Sequence, residues 1–311
     1  GLSVVYFVMV PARGADLTAV PSSLPHGSAG SLSRHVWHLA GTIGERHHEQ
    51  AGSLEQAAEY IEQEFRRCQL TPVRESFGDP TAHNLIAELP GVTHPGEIIV
   101  LGAHYDTVWL SPGADDNASG VAAMLEIACL LSGTKPDRTL RFVAFANEEQ
   151  PYAETEEMGS RVHVRNLRTR GDNIIAMYSL EMVGFYSETP YSQKYPFPLG
   201  WFYPHQASFI AFIGNLSSAR LLFTSLRRFR NQTDFQAQGL MAPERWLPDI
   251  RRSDHASFWD AGIPALMVTD TSFYRNPNYH LVSDQPRTLD YDRMAAVVRG
   301  LSGMVSDLAR E

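Results

Sequence analysis

Short apolar segments alternate along the chain with longer segments in which apolar residues recur every three or four positions. Apolar runs bounded by Gly, Pro or polar residues are typical of buried strands, and the longer spacing is typical of helices that face a core. The predicted strands are 83–89, 97–103, 140–146, 174–181, 208–213 and 264–269. The predicted helices are 31–41, 53–69, 117–132, 160–170, 217–231, 253–261 and 289–308. This alternation predicts an α/β fold with a largely parallel sheet.

The start of the chain differs in composition from the rest. Residues 11–30 are rich in Pro, Gly, Ala and Ser, so we expect 1–30 to form an irregular N-terminal arm. No internal repeat and no clear linker follow, which predicts a single domain over 31–311. Residues 2–10 are apolar but far shorter than the roughly 20 residues of a membrane-spanning helix. They are either the remainder of a removed signal or anchor, or a strand, and no other segment could span a bilayer.

Composition and charge narrow the classes of function. The chain of 311 residues is 43% hydrophobic and 20% charged, as is ordinary for a globular protein. Its net charge of −9 and the lack of a basic block argue against a nucleic-acid surface. Cys68 and Cys129 each lie in a predicted helix, and buried free thiols are the favoured interpretation. A disulfide between them stays open, because the sequence gives no distance.

Acidic and imidazole side chains stand at the ends of three predicted strands. They are His104 with Asp106, Glu148 with Glu149, and Glu181. In open α/β sheets, ligands gather beyond the carboxyl ends of the strands, so we expect these side chains to meet. Asp106 lies on the same side of the extended chain as His104, where it can accept the second ring N–H of a metal-binding histidine. The adjacent glutamates point to opposite sides, so one can bind metal while the other acts on a water.

Two further candidate ligands lie in loops. Residues 113–120 open a predicted helix, and the N-terminus of a helix favours a carboxylate such as Asp116. Either Asp115 or Asp116 could instead serve only as a helix cap. His280 lies in a polar loop after the last predicted strand.

Long irregular segments at 184–206 and 270–288 are rich in aromatic residues. Loops of such length in a compact domain are usually functional or disordered, and the aromatic content argues against disorder. We expect them to form an apolar wall of a substrate pocket, with Phe202, Tyr203 and Tyr274 as candidate substrate-binding residues. Packing as a small satellite core is the alternative.

Several short strings carry a resemblance to a known family. They are Gly102-Ala103-His104-Tyr105-Asp106, Gly113-Ala114-Asp115-Asp116-Asn117-Ala118-Ser119-Gly120, Asn147-Glu148-Glu149, Ser253-Asp254-His255-Ala256-Ser257-Phe258 and Tyr279-His280. In this order the chain resembles the co-catalytic di-zinc aminopeptidases, the family of bacterial leucyl aminopeptidase and aminopeptidase Y. Its relatives include glutamate carboxypeptidase, glutaminyl cyclase and the transferrin receptor. The resemblance implies a three-layer α/β/α sandwich around a mixed, largely parallel sheet.

The resemblance also implies a role for each candidate residue. Asp116 would bridge two zinc ions, with one site completed by His104 and Glu181 and the other by Glu149 and His280. Glu148 would be the general base, and Asp106 would support catalysis from beside His104. The string that begins at Ser253 would have a supporting role without binding metal.

Glu181 departs from the family pattern, since many members have Asp at this position. The longer side chain still offers a carboxylate, but it could change the distance between the zinc ions or leave one site weak. The resemblance therefore implies two zinc ions, or one if Glu181 binds poorly.

The implied function is that of a zinc-dependent exopeptidase, foremost an aminopeptidase that removes N-terminal residues from peptides through a metal-bound hydroxide. A glutaminyl-cyclase-like acyltransferase and a non-catalytic binding homologue are the alternatives. The cyclase branch uses one zinc and has a string like Asp-Ser-Ala at the position where this chain has Asp116-Asn117-Ala118. The local string therefore favours a peptidase. The partner would be a peptide or a small amino-acid-derived molecule. An extracytoplasmic or membrane-anchored location is expected, with a cytoplasmic one left open.

Overall fold

The computed structural model describes residues 26–77 and 79–310. Residues 1–25, most of the expected N-terminal arm and all of the apolar segment 2–10, lie outside this part of the chain. The described helices are α1 (Ala29–Val36), α2 (Ser53–Arg67), α3 (Gly120–Leu131), α4 (Gly159–Arg170), α5 (Ala219–Gln232), α6 (His255–Asp260) and α7 (Tyr291–Leu308). The strands are β1 (Val73–Phe77), β2 (Asp79–Leu89), β3 (His94–His104), β4 (Arg138–Phe145), β5 (Asn173–Glu181), β6 (Ile210–Gly214), β7 (Ala237–Met241) and β8 (Ala265–Thr269).

The strands form one eight-stranded sheet with the order β1-β2-β4-β3-β5-β8-β6-β7. The central strands β4, β3, β5 and β8 run parallel, and β7 runs parallel to β6. β2 is antiparallel to β1 and to β4, and β6 is antiparallel to β8. The prediction of a mixed, largely parallel sheet is therefore confirmed.

Two apolar clusters cover opposite faces of this sheet. Alternate residues of β3 belong to different clusters, with Ile99 and Leu101 on one face and Ile98 and Val100 on the other. The first cluster also contains the inner faces of α1, α2, α3, α5 and α7, and the second contains those of α4 and α6. Since the sheet is buried on both faces, the three-layer α/β/α sandwich is confirmed.

The sequence pattern missed the two strands at the edges of the sheet, β1 and β7. Edge strands are commonly short and polar, because they lack a second neighbour and one side stays near water. β1 has a single buried residue, Glu75, and β7 carries Gln238 and Gly239 in place of a continuous apolar run. Neither segment therefore shows the apolar run by which the other strands were predicted.

The start of the helix predicted over 117–132 also differs. Residues 114–119 form a wide turn in which Asp116 and Asn117 are not helical, and the peptide bond between them is cis. The regular helix α3 begins only at Gly120. This irregular entry leaves Asp116 outside the helix, at the edge of the sheet.

The prediction that Cys68 and Cys129 are free thiols is wrong, because the structure bonds them to each other. Their Cα atoms are 4.8 Å apart, within the normal range for a disulfide. The bond joins the end of α2 to α3, and the two cysteines are 61 residues apart in sequence. No helix in the described part of the chain has the length and apolar character needed to cross a membrane.

Candidate metal centre

The carboxyl ends of three adjacent parallel strands place the predicted ligands side by side. His104 is the last residue of β3, Glu181 is the last residue of β5, and Glu148 follows β4 after two residues. β3 lies between β4 and β5 in the sheet, so their carboxyl ends share one edge. The structure thus brings together the side chains that the sequence placed at strand ends.

Five side chains form two donor sets that share one carboxylate. In the first set, His104 Nε2 lies 3.3 Å from Asp116 Oδ1 and 3.4 Å from Glu181 Oε2. In the second, His280 Nε2 lies 3.1 Å from Asp116 Oδ2 and 3.3 Å from Glu149 Oε1. All donor atoms of each set lie within 4.8 Å of one another. Asp116 therefore offers one oxygen to each set.

These spacings fit zinc. Nitrogen and oxygen ligands bind Zn²⁺ at ~2.0–2.1 Å in a tetrahedron, so two ligand atoms of one ion lie roughly 3.3–3.4 Å apart. The four donor separations of 3.1–3.4 Å match that value. Asp116 Oδ1 is buried and has no hydrogen-bond partner, although it faces the first set. Two imidazoles and three carboxylates are also a ligand chemistry that zinc accepts.

Glu148 lies beside the first donor set but farther from it than the other acids. Its Oε2 atom is 3.9 Å from His104 Nε2, and its side chain is more exposed than that of Glu149. The two adjacent glutamates thus differ in exposure, and their separate roles stay a prediction. A third possible grouping joins His104 with both of them.

Asp106 holds the main chain of both glutamates. Its Oδ1 atom accepts the backbone N–H of Glu148 at 3.1 Å, and its Oδ2 atom accepts that of Glu149 at 3.0 Å. Its Oδ1 atom also lies 3.5 Å from His104 Nδ1, the ring nitrogen that faces away from the donor set. The sequence predicted only the contact with His104.

Other side chains fix the ligands from behind. Ser253 donates to Glu181 Oε2 at 2.8 Å, which gives the string that begins at Ser253 its supporting contact. The carboxylate of Asp284 accepts the backbone N–H groups of Asp115 and Asp116 at 2.9 and 3.1 Å. Asp284 was not predicted from the sequence, where its signal is only that it follows the candidate ligand His280 by four residues.

Arg46, which is fully buried behind the same loop, was not predicted from the sequence either. Its guanidinium donates to five backbone carbonyls, at distances of 2.6–3.2 Å, and to no carboxylate of residues 26–77 and 79–310. These carbonyls belong to Leu39, Gly44, Tyr105, Pro112 and Gly113. One side chain thus ties the segment after β3 to the start of the loop that carries Asp116.

Burial and the crowding of acidic groups shift the pKa values of the site. Burial raises the pKa of Glu148 well above its usual value, and it raises that of Glu149 to about 7. Burial disfavours the charged form of His280, but the carboxylates of Asp116 and Glu149 outweigh it and raise the pKa to about 10. His104 is likewise disfavoured by burial, yet Glu181 and Glu148 hold its pKa well above normal. The carboxylates therefore attract positive charge to the positions that the histidines occupy.

An apolar cavity lies beside this centre. It is partly open to solvent, and none of the predicted metal ligands lines it. Tyr203 and Tyr274 line the cavity, whereas Phe202 does not. Tyr203 is buried, and its hydroxyl donates to the carbonyl of Gly239 at 2.8 Å.

Aromatic contacts connect the cavity to the metal centre. Phe273 lines the cavity, and its ring centroid is 5.6 Å from that of Tyr279. Tyr279 in turn stacks on the imidazole of His280, with centroids 3.7 Å apart. Two successive aromatic contacts therefore connect the cavity wall to His280 of the second donor set.

Known proteins resemble the chain over most of its length. The family model described as peptidase family M28 matches residues 84–305. The uncharacterized protein YfbL of Escherichia coli K12 is 36% identical over 296 residues, which are 92% of this chain and 90% of that protein. Leucine aminopeptidase 1 of Fusarium vanettenii is 25% identical over 240 residues, covering 73% of this chain but 55% of that enzyme. Aminopeptidase YwaD of Bacillus subtilis is 34% identical over 111 residues, 35% of this chain and 23% of that enzyme.

Solved structures share the fold at low identity. A zinc aminopeptidase from Bacillus subtilis has a TM-score of 0.73 at 17% identity, covering 93% of this chain and 97% of that one. A glutaminyl cyclase from Bacteroides thetaiotaomicron, solved with N-acetylhistamine bound, has a TM-score of 0.67 at 18% identity, covering 92% and 99%.

Proposed function

Because the chain belongs to peptidase family M28 and is a zinc-dependent peptidase, we propose that it is an aminopeptidase that releases N-terminal residues from short peptides. The observation that carries this proposal is the position of Asp116, whose two oxygens belong to two complete donor sets. Two metal ions that share a carboxylate are a common arrangement in aminopeptidases, because together they act on both the attacking and the leaving side of the bond.

Each donor set has a defined metal-binding role in this proposal. His104, Asp116 and Glu181 would hold one zinc, and Asp116, Glu149 and His280 would hold the other. When bound, zinc supplies Lewis acidity that polarises the scissile carbonyl and makes a water more acidic. Asp106 faces His104 Nδ1 at 3.5 Å, where it would orient the ring once metal is bound, and it fixes the backbone from which Glu149 extends.

Glu148 is the general base of the proposed reaction. Its carboxylate lies next to the first donor set but is not part of the sets centred on Asp116. It takes a proton from the attacking water and returns it to the nitrogen of the leaving amine. Asp106 holds its backbone N–H, so the carboxylate keeps its place while the proton is exchanged.

Activity on a panel of aminoacyl arylamides, together with the zinc content of the protein, tests the proposal. We expect zinc-dependent release of the arylamine from substrates with a free α-amine and none from their N-acetylated counterparts. Cleavage of only the acetylated substrates would replace the aminopeptidase by a deacylating peptidase. Formation of pyroglutamate from an N-terminal glutaminyl substrate, without hydrolysis, would favour the cyclase chemistry of the Bacteroides neighbour.

We also propose that the protein works in an oxidising compartment. The bond between Cys68 and Cys129 supports this location, because structural disulfides persist mainly outside the reducing cytoplasm. Thiol labelling of the protein in extracts from its native cells, quenched with acid, tests it. Two labelled thiols per chain would argue for a cytoplasmic protein.

A further inference from the structure

Arg252 places an accessible cation at the edge of the apolar cavity. It lines the cavity, its side chain is 55% exposed, and its guanidinium carbon lies 5.2 Å from the ring centroid of Phe273. A guanidinium over an aromatic face is held in place while its N–H groups remain free to bind. Most of the surrounding wall is apolar, including Leu199, Phe209 and Met267.

The same guanidinium lies towards the metal centre. Phe273, the ring under this guanidinium, packs on Tyr279 with centroids 5.6 Å apart. The residue that follows Arg252 in the chain, Ser253, donates to Glu181 Oε2 at 2.8 Å. The ring of Tyr279 stacks on His280, the ligand of the second donor set. Arg252 therefore stands between the cavity and the residues that carry out hydrolysis.

No carboxylate of the protein neutralises Arg252 at hydrogen-bond distance among the described residues. The carboxylate of Asp249 is an ion-pair neighbour, and its Oδ1 atom is 4.0 Å from the guanidinium. The other oxygen of Asp249 accepts the hydroxyl of Tyr274 at 2.7 Å, which holds this carboxylate to the cavity wall. The fork of N–H donors on Arg252 is therefore available to a carboxylate from outside, the group for which its geometry is best suited.

We propose that Arg252 binds the free carboxylate of the residue that leaves after cleavage, while the apolar side chain of that residue fills the cavity. The substrate class is then short peptides, above all dipeptides, that end in an apolar residue with a free carboxylate. This inference rests on the proposed peptidase function and specifies its substrate. A longer peptide, or one with an amidated end, brings no negative charge to Arg252.

Matched pairs of substrates test this assignment. The rate constant kcat/KM is measured for apolar dipeptides and for their C-terminal amides, with the wild type, Arg252→Gln and Arg252→Lys. A hydrogen bond to a charged group contributes ~1.5–3 kcal/mol, so Arg252→Gln should lower kcat/KM for the dipeptides about 10- to 100-fold. It should leave the amides within about 2-fold, and Arg252→Lys should recover part of the loss, since it keeps the charge without the fork.

Lys194→Gln is the control, because Lys194 also lines the cavity and the change removes the same charge. It should change the ratio of dipeptide to amide by less than about 2-fold. Equal losses for dipeptides and amides in Arg252→Gln, or a wild type that cleaves both equally well, would overturn the inference. Lys194→Gln with the larger effect would also overturn it.

A binding experiment separates this inference from the proposed hydrolysis. The dissociation constants of a dipeptide and its amide are measured by calorimetry on Glu148→Gln, with and without Arg252→Gln. Tighter binding of the dipeptide that disappears with Arg252→Gln supports carboxylate recognition even if the wild type proves unable to hydrolyse either ligand. Equal dissociation constants for the two ligands reject it even if both are hydrolysed.

Discussion

The carboxylate of Asp106 accepts the backbone N–H of Glu149 at 3.0 Å, through the oxygen that is turned away from His104. Its other oxygen accepts the N–H of Glu148. One aspartate therefore holds the end of β3 and the segment after β4 in a fixed relation. The candidate base and a candidate ligand depend on the same carboxylate for their positions.

We expect Asp106→Asn to impair metal binding and catalysis together. An amide has only one acceptor oxygen, so an NH₂ group would face one of the two backbone N–H groups. Loss of such a supporting contact typically costs ~10–100-fold in metal affinity or activity. Zinc titration with a competing chelator and kcat measure the two effects. Asp137→Asn is the control, because Asp137 accepts a hydrogen bond from Thr93 away from the site, before β4. Equal behaviour of the two variants would contradict the role of Asp106.

Substituting the two glutamates separately should distinguish their roles. Glu148→Gln removes a proton acceptor and should lower kcat ~10²–10⁴-fold while zinc stays bound. Glu149→Gln removes a charged metal ligand that lies 3.3 Å from His280 Nε2, so this variant should lose zinc as well as activity. Elemental analysis gives the zinc content of both variants, and kcat gives their activity, so the two measurements together assign the roles. Zinc loss in Glu148→Gln alone would mean that the roles are exchanged.

The wild type should hold about two zinc ions, and Glu181→Ala about one. Glu181 reaches the first donor set in spite of its extra methylene, with its Oε2 atom 3.4 Å from His104 and bonded to Ser253. Ser253→Ala removes this support but no donor, so it should weaken the affinity for one ion without lowering the number bound at saturation. A wild type that binds a single ion at saturation would mean that Glu181 does not act as a ligand.

Residues of the aromatic segment 184–206 should differ in their effect on selectivity. Tyr203 lines the cavity, so Tyr203→Leu should change the preference between large and small apolar side chains by ~1–3 kcal/mol. Tyr274, in the segment 270–288, also lines the cavity, so Tyr274→Leu should change the preference in the same way. Phe202 lies outside the lining and serves as the matched control. If Tyr203 and Phe202 variants lose thermal stability but keep the order of substrate preference, the segment is a satellite core only.

The disulfide should contribute measurably to stability. It closes a loop of 61 residues, and a cross-link of this kind typically stabilises a protein by ~2–4 kcal/mol. The double variant Cys68→Ser, Cys129→Ser should lower the free energy of unfolding in denaturant by that amount. A reductant should destabilise the wild type and leave the double variant unchanged. Two titratable thiols in the unreduced, denatured wild type would show that the bond does not form.

The sequence predicted the site better than its surroundings, for a physical reason. His104 and Glu181 end apolar strands, so their juxtaposition follows from the rule that parallel strands place their carboxyl ends at one edge. Asp284 and Arg46 bind backbone groups that are far away in sequence, and no local pattern predicts such contacts. The roles carried over from the family stay predictions until metal and variants are measured.

In the fold, too, local sequence pattern predicted some elements and not others. Strands with neighbours on both sides need continuous apolar runs, and all six of these were predicted to within a few residues, the largest difference being residues 79–82 at the start of β2. The edge strands β1 and β7 have no such need and were missed. The pairing of Cys68 with Cys129 depends on how α2 packs against α3, which helical spacing does not determine.

The sharing of Asp116 links metal occupancy to the folding equilibrium. The donors come from positions 104 to 280, and the unfolded chain cannot hold them together, so every bound ion favours the folded state by mass action. Since each set needs an oxygen of the same carboxylate, release of one ion leaves Asp116 less constrained for the other. The affinities of the two positions would therefore depend on each other through a single side chain. Metal occupancy at this edge of the sheet, beside the packing of the core, would then help to set the fraction of chains that are folded.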